Sequence, residues 1–327
     1  MVKRIFEKLL REELITQAEF EKVVLQEREP VSVHWDLRTL LYLGIVLLTT
    51  ALGILVYENI DTIGHDVIIV SIGIVCAGCF WYCFKNAQKY SREKITSVNI
   101  WFDYILLLGC LLLLTFIGYL QFEYNVFGSR WGLATFIPMV CLFMAAYYFD
   151  HLGVLSIAIV NLAAWAGVTV TPLQVLRSND FGSSGLIYSG MVLGAFLVSV
   201  AFASVYYHIK AHFHFTYKNF GCHILLISLL AATFNFDHIF LFWFLALLAV
   251  CYFLYKNALK ERSFYFLVVS ILYAYTGLSY VVVRLLFISS MEEGALYLGI
   301  FYFIFSGIGL IVLLIRLNKM LKLNAGV

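Results

Sequence analysis

Three histidines in one short polar segment come closest in this chain to the spacing of a metal site. His208, His212 and His214 lie between two apolar stretches, and positions 208 and 212 would share one face of a helix. Imidazole is a common zinc ligand. No cysteine or carboxylate lies beside these histidines in the sequence, and Lys210 and Lys218 are unfavourable neighbours for a cation. We therefore favour a polar interfacial loop, and we expect no metal and no other cofactor.

Three further polar side chains interrupt apolar segments, where they serve either as substrate ligands or as contacts between helices. Asn161 falls near the middle of its segment, and an amide at that depth more often bonds a neighbouring helix. Arg284 lies within an apolar segment, which marks a functional candidate. It is near one end, however, where a guanidinium can reach water. Asp103 lies one turn inside its segment, beside Trp101, and we expect it to face lipid headgroups.

The elements that position these residues are predicted to be membrane-spanning helices. Of the 327 residues, 62% are apolar and only 13% are charged, whereas about a quarter are charged in an ordinary soluble domain. A water-soluble fold could not cover this much apolar surface, so lipid is the expected solvent. The net charge of +2 gives no reason to expect a nucleic-acid partner. All seven cysteines fall in apolar segments, which is typical of small packing residues.

The fold class predicted from this pattern is an all-α, polytopic transmembrane bundle with about ten spans in residues 39–327. Each apolar segment is close to the roughly twenty residues that cross a hydrocarbon core. The segments are 39–57, 66–84, 101–120, 131–149, 151–171, 186–207, 219–235, 238–255, 263–287 and 294–315. Only Asp150 and His151 separate the fourth and fifth segments, so a re-entrant pair is the alternative there.

Residues 1–38 are predicted to form a short cytoplasmic helical hairpin. Apolar residues recur at helical spacing, and Thr16 to Glu19 has the form of a capping box. Pro30 closes the segment. The apolar stripe of this hairpin must pack against the membrane domain, a lipid surface or a partner.

The distribution of positive charge predicts the orientation. With both termini in the cytoplasm, the inner segments carry nineteen of the twenty-two Lys and Arg residues, and the outer loops hold only Arg130 and Arg177. This asymmetry is the positive-inside pattern of a multi-pass membrane protein.

Two short sequences after the second and eighth spans are alike: Lys85-Asn86-Ala87-Gln88-Lys89 and Lys256-Asn257-Ala258-Leu259-Lys260. Either spans 1–3 and 7–9 are a parallel duplication, or two basic interfacial segments converged on one composition, which is the favoured interpretation.

Small residues predict close helix contacts at several places. Cys76, Cys79 and Cys83 share one face of the second span and suggest a packing seam. Gly190 and Gly194 form a small-xxx-small pair, which supports a packed bundle and leaves self-association open as a partner interaction.

The N-terminal half of the chain resembles a known bacterial family. The resemblance rests on the segment from Leu14 to Glu19, on Leu41-Tyr42-Leu43-Gly44-Ile45-Val46, and on Glu58-Asn59-Ile60-Asp61. The family is that of predicted membrane proteins with domain of unknown function 2157, and the resemblance covers roughly the first 150 residues. It implies a bacterial inner membrane and a non-enzymatic role, and it brings no catalytic or cofactor residues.

Two functions follow as hypotheses. No phosphate-binding loop, metalloprotease helix or nucleophile elbow occurs in the chain, so we do not expect an enzyme. The first hypothesis is a membrane scaffold or accessory subunit that docks a cytoplasmic protein through residues 1–30. The alternative is a transporter or a lipid or small-molecule facilitator, and the scarcity of titratable groups at mid-depth counts against ion coupling.

Overall fold

The computed structural model describes residues 64–95, 100–128, 130–170, 183–288 and 292–323, together with isolated positions before residue 64. Within these ranges the chain contains nine α-helices and two 3-10 turns, with no strand. The helices are α1 (His65–Asn86), α2 (Ile100–Tyr124), α3 (Trp131–Phe149), α4 (Leu152–Val170), α5 (Ser184–Tyr206), α6 (His214–Asn235), α7 (Phe240–Lys260), α8 (Phe264–Ile288) and α9 (Glu292–Leu323). The 3-10 turns are Ala211–Phe213 and Asp237–Ile239.

Eight of these nine helices are long and apolar enough to cross a membrane, and the apolar part of α4, Leu152–Gly167, is shorter. The predicted all-α, multi-span architecture is therefore confirmed at eight candidate spans among the described residues. The first predicted span, 39–57, lies largely outside the described residues, so the count of ten remains a prediction.

Three helix boundaries lie five or more residues from those predicted, and polar residues lie at each. Helix α7 continues to Lys260, five residues past the predicted end at 255. Helix α6 begins at His214, five residues before the predicted 219, and therefore includes Lys218. Helix α9 continues to Leu323, well past the predicted end at 315. The apolar stretch ends at Arg316 and Lys319. Both residues are good helix formers, so the helix extends beyond its apolar part.

Contacts divide the chain into two compact units, residues 1–67 and 68–327. In the first unit Phe20 is helical, and its backbone N–H donates to Thr16 O at 3.0 Å. This is the bond expected where a helix begins at Thr16. The rest of the predicted hairpin lies outside the described residues. Six helical positions recur three or four residues apart and are exposed: Leu40, Leu43, Leu47, Ala51, Ile54 and Glu58.

The second unit has two clusters of buried apolar side chains. The first is formed mainly by α2 to α5, with small residues such as Ala146, Ala158 and Ala201 at its centre. The second is formed mainly by α6, α7 and α8, around Leu226, Leu247 and Leu267. Helix α6 contributes to both clusters and therefore joins the two halves of this unit.

The contact between α5 and α6 is close enough to require glycine. A Cβ atom at Gly194 would lie 2.5 Å from the backbone N of Leu225, and one at Gly221 would lie 2.8 Å from the backbone N of Val198. A Cβ at Gly190 would overlap Ser228 Oγ. The predicted small-xxx-small pair is confirmed as a seam between these helices, and backbone approach of this kind stabilises helix pairs in lipid.

The predicted cysteine seam packs α1 against α2. The Cys76 thiol donates to Gly109 O at 3.5 Å, and a Cβ at Gly109 would lie 3.0 Å from Cys79 Cβ. Cys83 is fully buried in the first cluster. Their thiols are free, so these residues serve as small packing groups.

Large apolar side chains cover the outside of the bundle. Helix α9 is the extreme case, with Phe301, Phe305 and Ile311 each more than half exposed. Its contacts with α8 include two hydroxyl pairs, Tyr275 with Ser306 at 2.9 Å and Ser279 with Tyr302 at 3.1 Å. Such a surface suits acyl chains rather than water.

Candidate functional site: two buried ion-pair clusters at one end of the bundle

A buried carboxylate closes the turn between α3 and α4. Asp150 ends α3 in the left-handed conformation (φ 57°, ψ 45°), and its side chain is fully buried. Its Oδ1 lies 3.2 Å from Lys210 Nζ and 2.6 Å from His212 Nε2. Its Oδ2 accepts from the backbone N–H of Ile95 at 2.5 Å. These four residues form what we call the Asp150 cluster, and it joins three separate chain segments.

Lys210 is as fully buried as Asp150. Its side chain has no exposed surface, and Nζ also donates to Glu93 O at 3.3 Å. Its backbone N–H donates to Arg92 O at 2.9 Å, and the ammonium lies 5.4 Å from the centre of the Tyr90 ring. Through both its backbone N–H and its side chain, Lys210 therefore links the loop between α5 and α6 to the loop between α1 and α2.

Burying the charges of Asp150 and Lys210 costs free energy, so the rest of the fold must stabilise this cluster. Desolvating a lysine and a carboxylate costs several kcal/mol per ion, which is offset only when the charges are paired and fully hydrogen-bonded. Asp150, Lys210 and His208 also have φ values of 57°, 49° and 54°. Each such residue costs on the order of 1 kcal/mol. Backbone outliers concentrated at one cluster mark it as a candidate functional site.

A second cluster lies where α6 and α7 meet. The Lys218 side chain is fully buried and forms a short ion pair with Glu261 Oε2. Glu261 Oε1 accepts from Asn257 Nδ2 at 3.2 Å and lies 3.5 Å from His214 Nε2. The ammonium of Lys218 also lies 4.4 Å from the centre of the Phe266 ring. Lys218, Glu261, His214 and Asn257 form what we call the Lys218 cluster.

Two tyrosines lie between the clusters. The Tyr147 and Tyr217 hydroxyls are 3.0 Å apart, joining α3 to α6 one residue before Lys218. The Tyr147 ring packs edge-on against Phe213, with centroids 5.3 Å apart. The two clusters therefore occupy the same end of the bundle, which we call the cluster end.

Asp103 reaches this end from α2. Its Oδ1 lies 3.9 Å from His151 Nε2, and His151 Nδ1 accepts from the backbone N–H of Val154 in the first turn of α4. Burial lowers the pKa of the His151 imidazole, although Asp103 and Asp150 oppose the shift. The Asp103 side chain is about one third exposed, and its orientation toward lipid headgroups stays a prediction.

The histidines do not form the arrangement that their spacing suggested. His208 and His212 do not share a helix face, because the backbone turns left-handed at His208 and Lys210 before a 3-10 turn. His208 is exposed, whereas His212 and His214 contact different carboxylates, those of Asp150 and Glu261.

The absence of a carboxylate near these histidines in the sequence did not predict the fold, because Asp150 and Glu261 reach His212 and His214 from distant parts of the chain. No group of three metal-binding side chains occurs within the described ranges. The lysines occupy the place that a cation would take beside each carboxylate.

Asn161 joins α4 to α3. Its Nδ2 donates to Thr135 O at 2.9 Å, as expected for an interhelical contact. Further along, a Cβ at Gly132 would lie 3.3 Å from Thr169 Oγ1. Helix α4 thus runs beside the whole of α3. Its apolar part, Leu152–Gly167, is shorter than the eight candidate spans, so the crossing helix and the re-entrant pair both stay predictions.

Arg284 lies at the opposite end of the bundle. Its Nη1 is 2.8 Å from Asp237 Oδ1 and donates to the Tyr280 hydroxyl at 3.0 Å. The guanidinium carbon lies 4.2 Å from the centre of the Phe240 ring. The Asp237 side chain is 72% exposed. Asn161, Arg284 and Asp103 are therefore in three different places, and each contacts a neighbouring segment of the protein.

These features define a multi-pass α-helical membrane protein. Residues 7–155 match the model of the family described as predicted membrane protein (DUF2157), which confirms the resemblance seen in the sequence. The match extends from the N-terminal segment through Asp150 of the first cluster. Neither the curated proteins nor the solved structures contain a match to this chain.

Proposed function

We propose that this protein is a non-enzymatic membrane scaffold or accessory subunit, and that its cluster end is a rigid face on which a cytoplasmic partner docks. The observation that carries the proposal is the Asp150 cluster, which ties three chain segments together through fully buried charges. A docking face benefits from such fixation because less conformational entropy is lost when the partner binds.

The use of polar groups within the helices supports the same proposal. Asn161, Arg284 and Asp103 each contact another element of the bundle, at three separate positions. A transporter would be expected to gather such groups around one substrate site near mid-membrane. Their dispersal therefore counts against the alternative of a transporter.

The proposed orientation places the cluster end in the cytoplasm. The loop that follows α1 carries Lys89, Arg92 and Lys94, and these side chains are exposed. Lys85 in the last turn of α1 lies 5.1 Å from the centre of the Trp81 ring, a pairing typical of a membrane interface. Positive charge accumulates on the cytoplasmic side of multi-pass proteins, and the family resemblance implies a bacterial inner membrane.

The proposed partner contacts involve residues 1–30 as well as the cluster end. The sequence from Thr16 to Glu19 has the form of a capping box and apolar residues recur at helical spacing, so the predicted hairpin would be a compact amphipathic element, which is a common form of protein docking segment. The lipid bilayer and a second copy of the chain are the other partners that the apolar helix surfaces can accommodate.

Crosslinking in intact cells followed by affinity purification tests the proposal. The full chain is compared with a chain lacking residues 1–30, with Asp150→Asn at the cluster end, and with Asp237→Asn at the opposite end as the matched control. We expect a specific crosslinked partner to be lost from the first two variants and retained by the third. If every co-purifying protein is unchanged by the deletion and by Asp150→Asn, the scaffold proposal is wrong.

A flux measurement tests the alternative independently. The purified chain is reconstituted into proteoliposomes and compared with Asn161→Leu and Arg284→Leu. Solute uptake that depends on the protein and falls in either variant would favour the transporter over the scaffold.

A further inference from the structure

Four polar side chains form a continuous hydrogen-bonded chain between α6 and α8. His223 Nδ1 lies 3.0 Å from the Tyr273 hydroxyl, and His223 Nε2 lies 3.0 Å from the Tyr265 hydroxyl. Tyr265 in turn donates to Asn219 Oδ1 at 2.7 Å. We call Asn219, His223, Tyr265 and Tyr273 the polar chain, and neither ion-pair cluster includes any of these residues.

The acceptor at Asn219 fixes the direction of every bond in the polar chain. Because Tyr265 gives its proton to Asn219 Oδ1, its oxygen accepts from the N–H at His223 Nε2. A neutral imidazole carries one N–H, so Nδ1 accepts from Tyr273. The two ends retain capacity, since the Tyr273 oxygen can accept a further hydrogen bond and Asn219 Nδ2 can donate one.

The residues of the polar chain lie on two helices that are each long and apolar enough to cross a membrane. His223 and Tyr273 are each nine residues past the starts of α6 and α8, which corresponds to about 13 Å along each helix. Tyr265 is 43% exposed, and His223 is only half-buried. Hydrocarbon offers no hydrogen-bonding partner for the capacity that is left at Tyr273 and Asn219, so a ligand there would be favourable. We call the surface between α6 and α8 that carries the polar chain the groove.

Apolar side chains flank the same groove. Phe215 precedes Asn219 by one helical turn on α6, is 53% exposed, and has its ring centroid 5.9 Å from that of Tyr265. Leu272, on the same face of α8 as Tyr265, is 42% exposed. The groove therefore combines a neutral hydrogen-bonding strip with walls suited to acyl or isoprenoid chains.

We propose that the groove between α6 and α8 binds a neutral lipid bearing a free hydroxyl group, with diacylglycerol as the representative of this class. A hydroxyl both donates and accepts, so it can extend the polar chain at either Tyr273 or Asn219. This site goes beyond the scaffold function and does not depend on it.

The charges around the groove favour a neutral headgroup over a phosphate. Lys218 is the nearest cation along α6, but its side chain is fully buried and paired with Glu261. Arg262 is exposed, but it lies in the turn before α8, eleven residues from Tyr273 or about 16 Å along a helix, so the neutral headgroup is expected at the Tyr273 end of the polar chain. A phosphate would need an exposed cation to offset its desolvation. The polar chain offers hydrogen bonds without charge.

Binding of 1,2-dioctanoylglycerol to the purified full chain in detergent, followed by native mass spectrometry, tests the proposal. Tyr265→Phe and Tyr273→Phe keep the rings and remove only the hydroxyls. Tyr252→Phe, at an exposed tyrosine of α7, is the matched control. We expect saturable binding that is about five- to tenfold weaker in the first two variants and unchanged in the third. The O-methyl ether of the same lipid should bind weakly to all four proteins.

Three results would overturn the proposal. Binding of dioctanoylglycerol that is not saturable, or that is equal in all variants, would show general adsorption to the apolar surface. Tighter binding of dioctanoyl phosphatidic acid would show that charge is recognised instead. Equal binding of the O-methyl ether would exclude a role for the hydroxyl. The unfolding temperature of each unliganded variant distinguishes lost binding from lost folding.

Discussion

The two ends of the bundle use the same ion-pair chemistry at different depths. At the cluster end, Asp150 and Lys210 have no exposed side-chain surface, and Glu261 beside Lys218 is 33% exposed. At the opposite end, Asp237 beside Arg284 is 72% exposed. The difference in side-chain exposure is expected to determine how much each ion pair contributes to stability. Water competes for the outer pair, whereas the fully buried Asp150–Lys210 pair has no substitute partner and so holds together the segments that carry it.

The largest expected effect comes from removing the most buried charge. Asp150→Asn keeps an acceptor for Ile95 N–H and suits the left-handed backbone, but it leaves Lys210 buried without a counter-charge. We expect the free energy of unfolding to fall by about 3–5 kcal/mol. The measurement is thermal unfolding in detergent followed by a thiol-reactive dye. Cys83 and Cys110 are fully buried, and a Cys141→Ser background removes an exposed thiol.

A double variant tests whether charge is the cause. Lys210→Met combined with Asp150→Asn removes both ions, while positions 150 and 210 still have to adopt positive φ values. We expect it to be more stable than Asp150→Asn alone. A double variant that is as unstable as the sum of the two single variants would show that the pair is not energetically coupled.

The partly exposed pair should give an intermediate effect. Glu261→Gln retains an acceptor for Lys218 and Asn257 but removes the charge. Water reaches the partly exposed position 261, and the Phe266 ring remains near the ammonium. We expect a loss of about 1–2 kcal/mol in the same unfolding assay. A loss as large as that of Asp150→Asn would contradict the ranking by burial.

The exposed pair should give almost no effect. Asp237→Asn leaves Arg284 bonded to the Tyr280 hydroxyl, to Asp237 O and to water. We expect the unfolding temperature to remain within error of the parent chain. A clear decrease in the unfolding temperature would mean that the exposed Asp237–Arg284 pair stabilises the fold as much as the buried pairs do. The contrast between the two ends of the bundle would then be wrong.

The last expected effect is a pH dependence at the cluster end, measured as a slope rather than as a difference at neutral pH. Because burial lowers the pKa of His151, the unfolded chain binds a proton more readily than the folded one. Its contribution to stability is present above the ordinary value of about 6.5. That contribution is lost as the pH falls through the lower folded value.

Asn at position 151 can still cap α4 without titrating near neutral pH. The unfolding temperature of His151→Asn, measured from pH 7.5 to pH 5, should therefore vary less than that of the parent. An unchanged slope would assign the acid sensitivity to another group.

Local features of the fold were predictable from the sequence because lipid imposes a simple rule on composition. Helix α3 begins and ends where its apolar segment does, and Asn161 bonds a neighbouring helix as expected of a buried amide. The small-residue seams at Gly194 and Cys76 likewise follow from local spacing. Each of these features depends on residues within one or two helical turns.

The ion-pair clusters could not be predicted in the same way. Asp150 is 62 residues from His212, and Lys218 is 43 residues from Glu261. No local pattern indicates that such residues will meet. Lys218 instead made the predicted span begin too late, at 219 rather than 214, since a hydropathy window counts a lysine as exposed whether or not the fold supplies a carboxylate. The polar chain was missed for the same reason, because Tyr265 and Tyr273 reach His223 from another helix.

The glycine seam between α5 and α6 divides the molecule into stiff and compliant parts. With Gly194 and Gly221 against the facing backbones, neither helix can slide past the other without steric overlap. Helices α5 and α6 must therefore move together as one rigid body when the bundle fluctuates. Displacement is expected instead at α9, whose hydroxyl contacts with α8 can break and reform one at a time, so spin labels on α9 should report broader distance distributions than labels on α5 and α6.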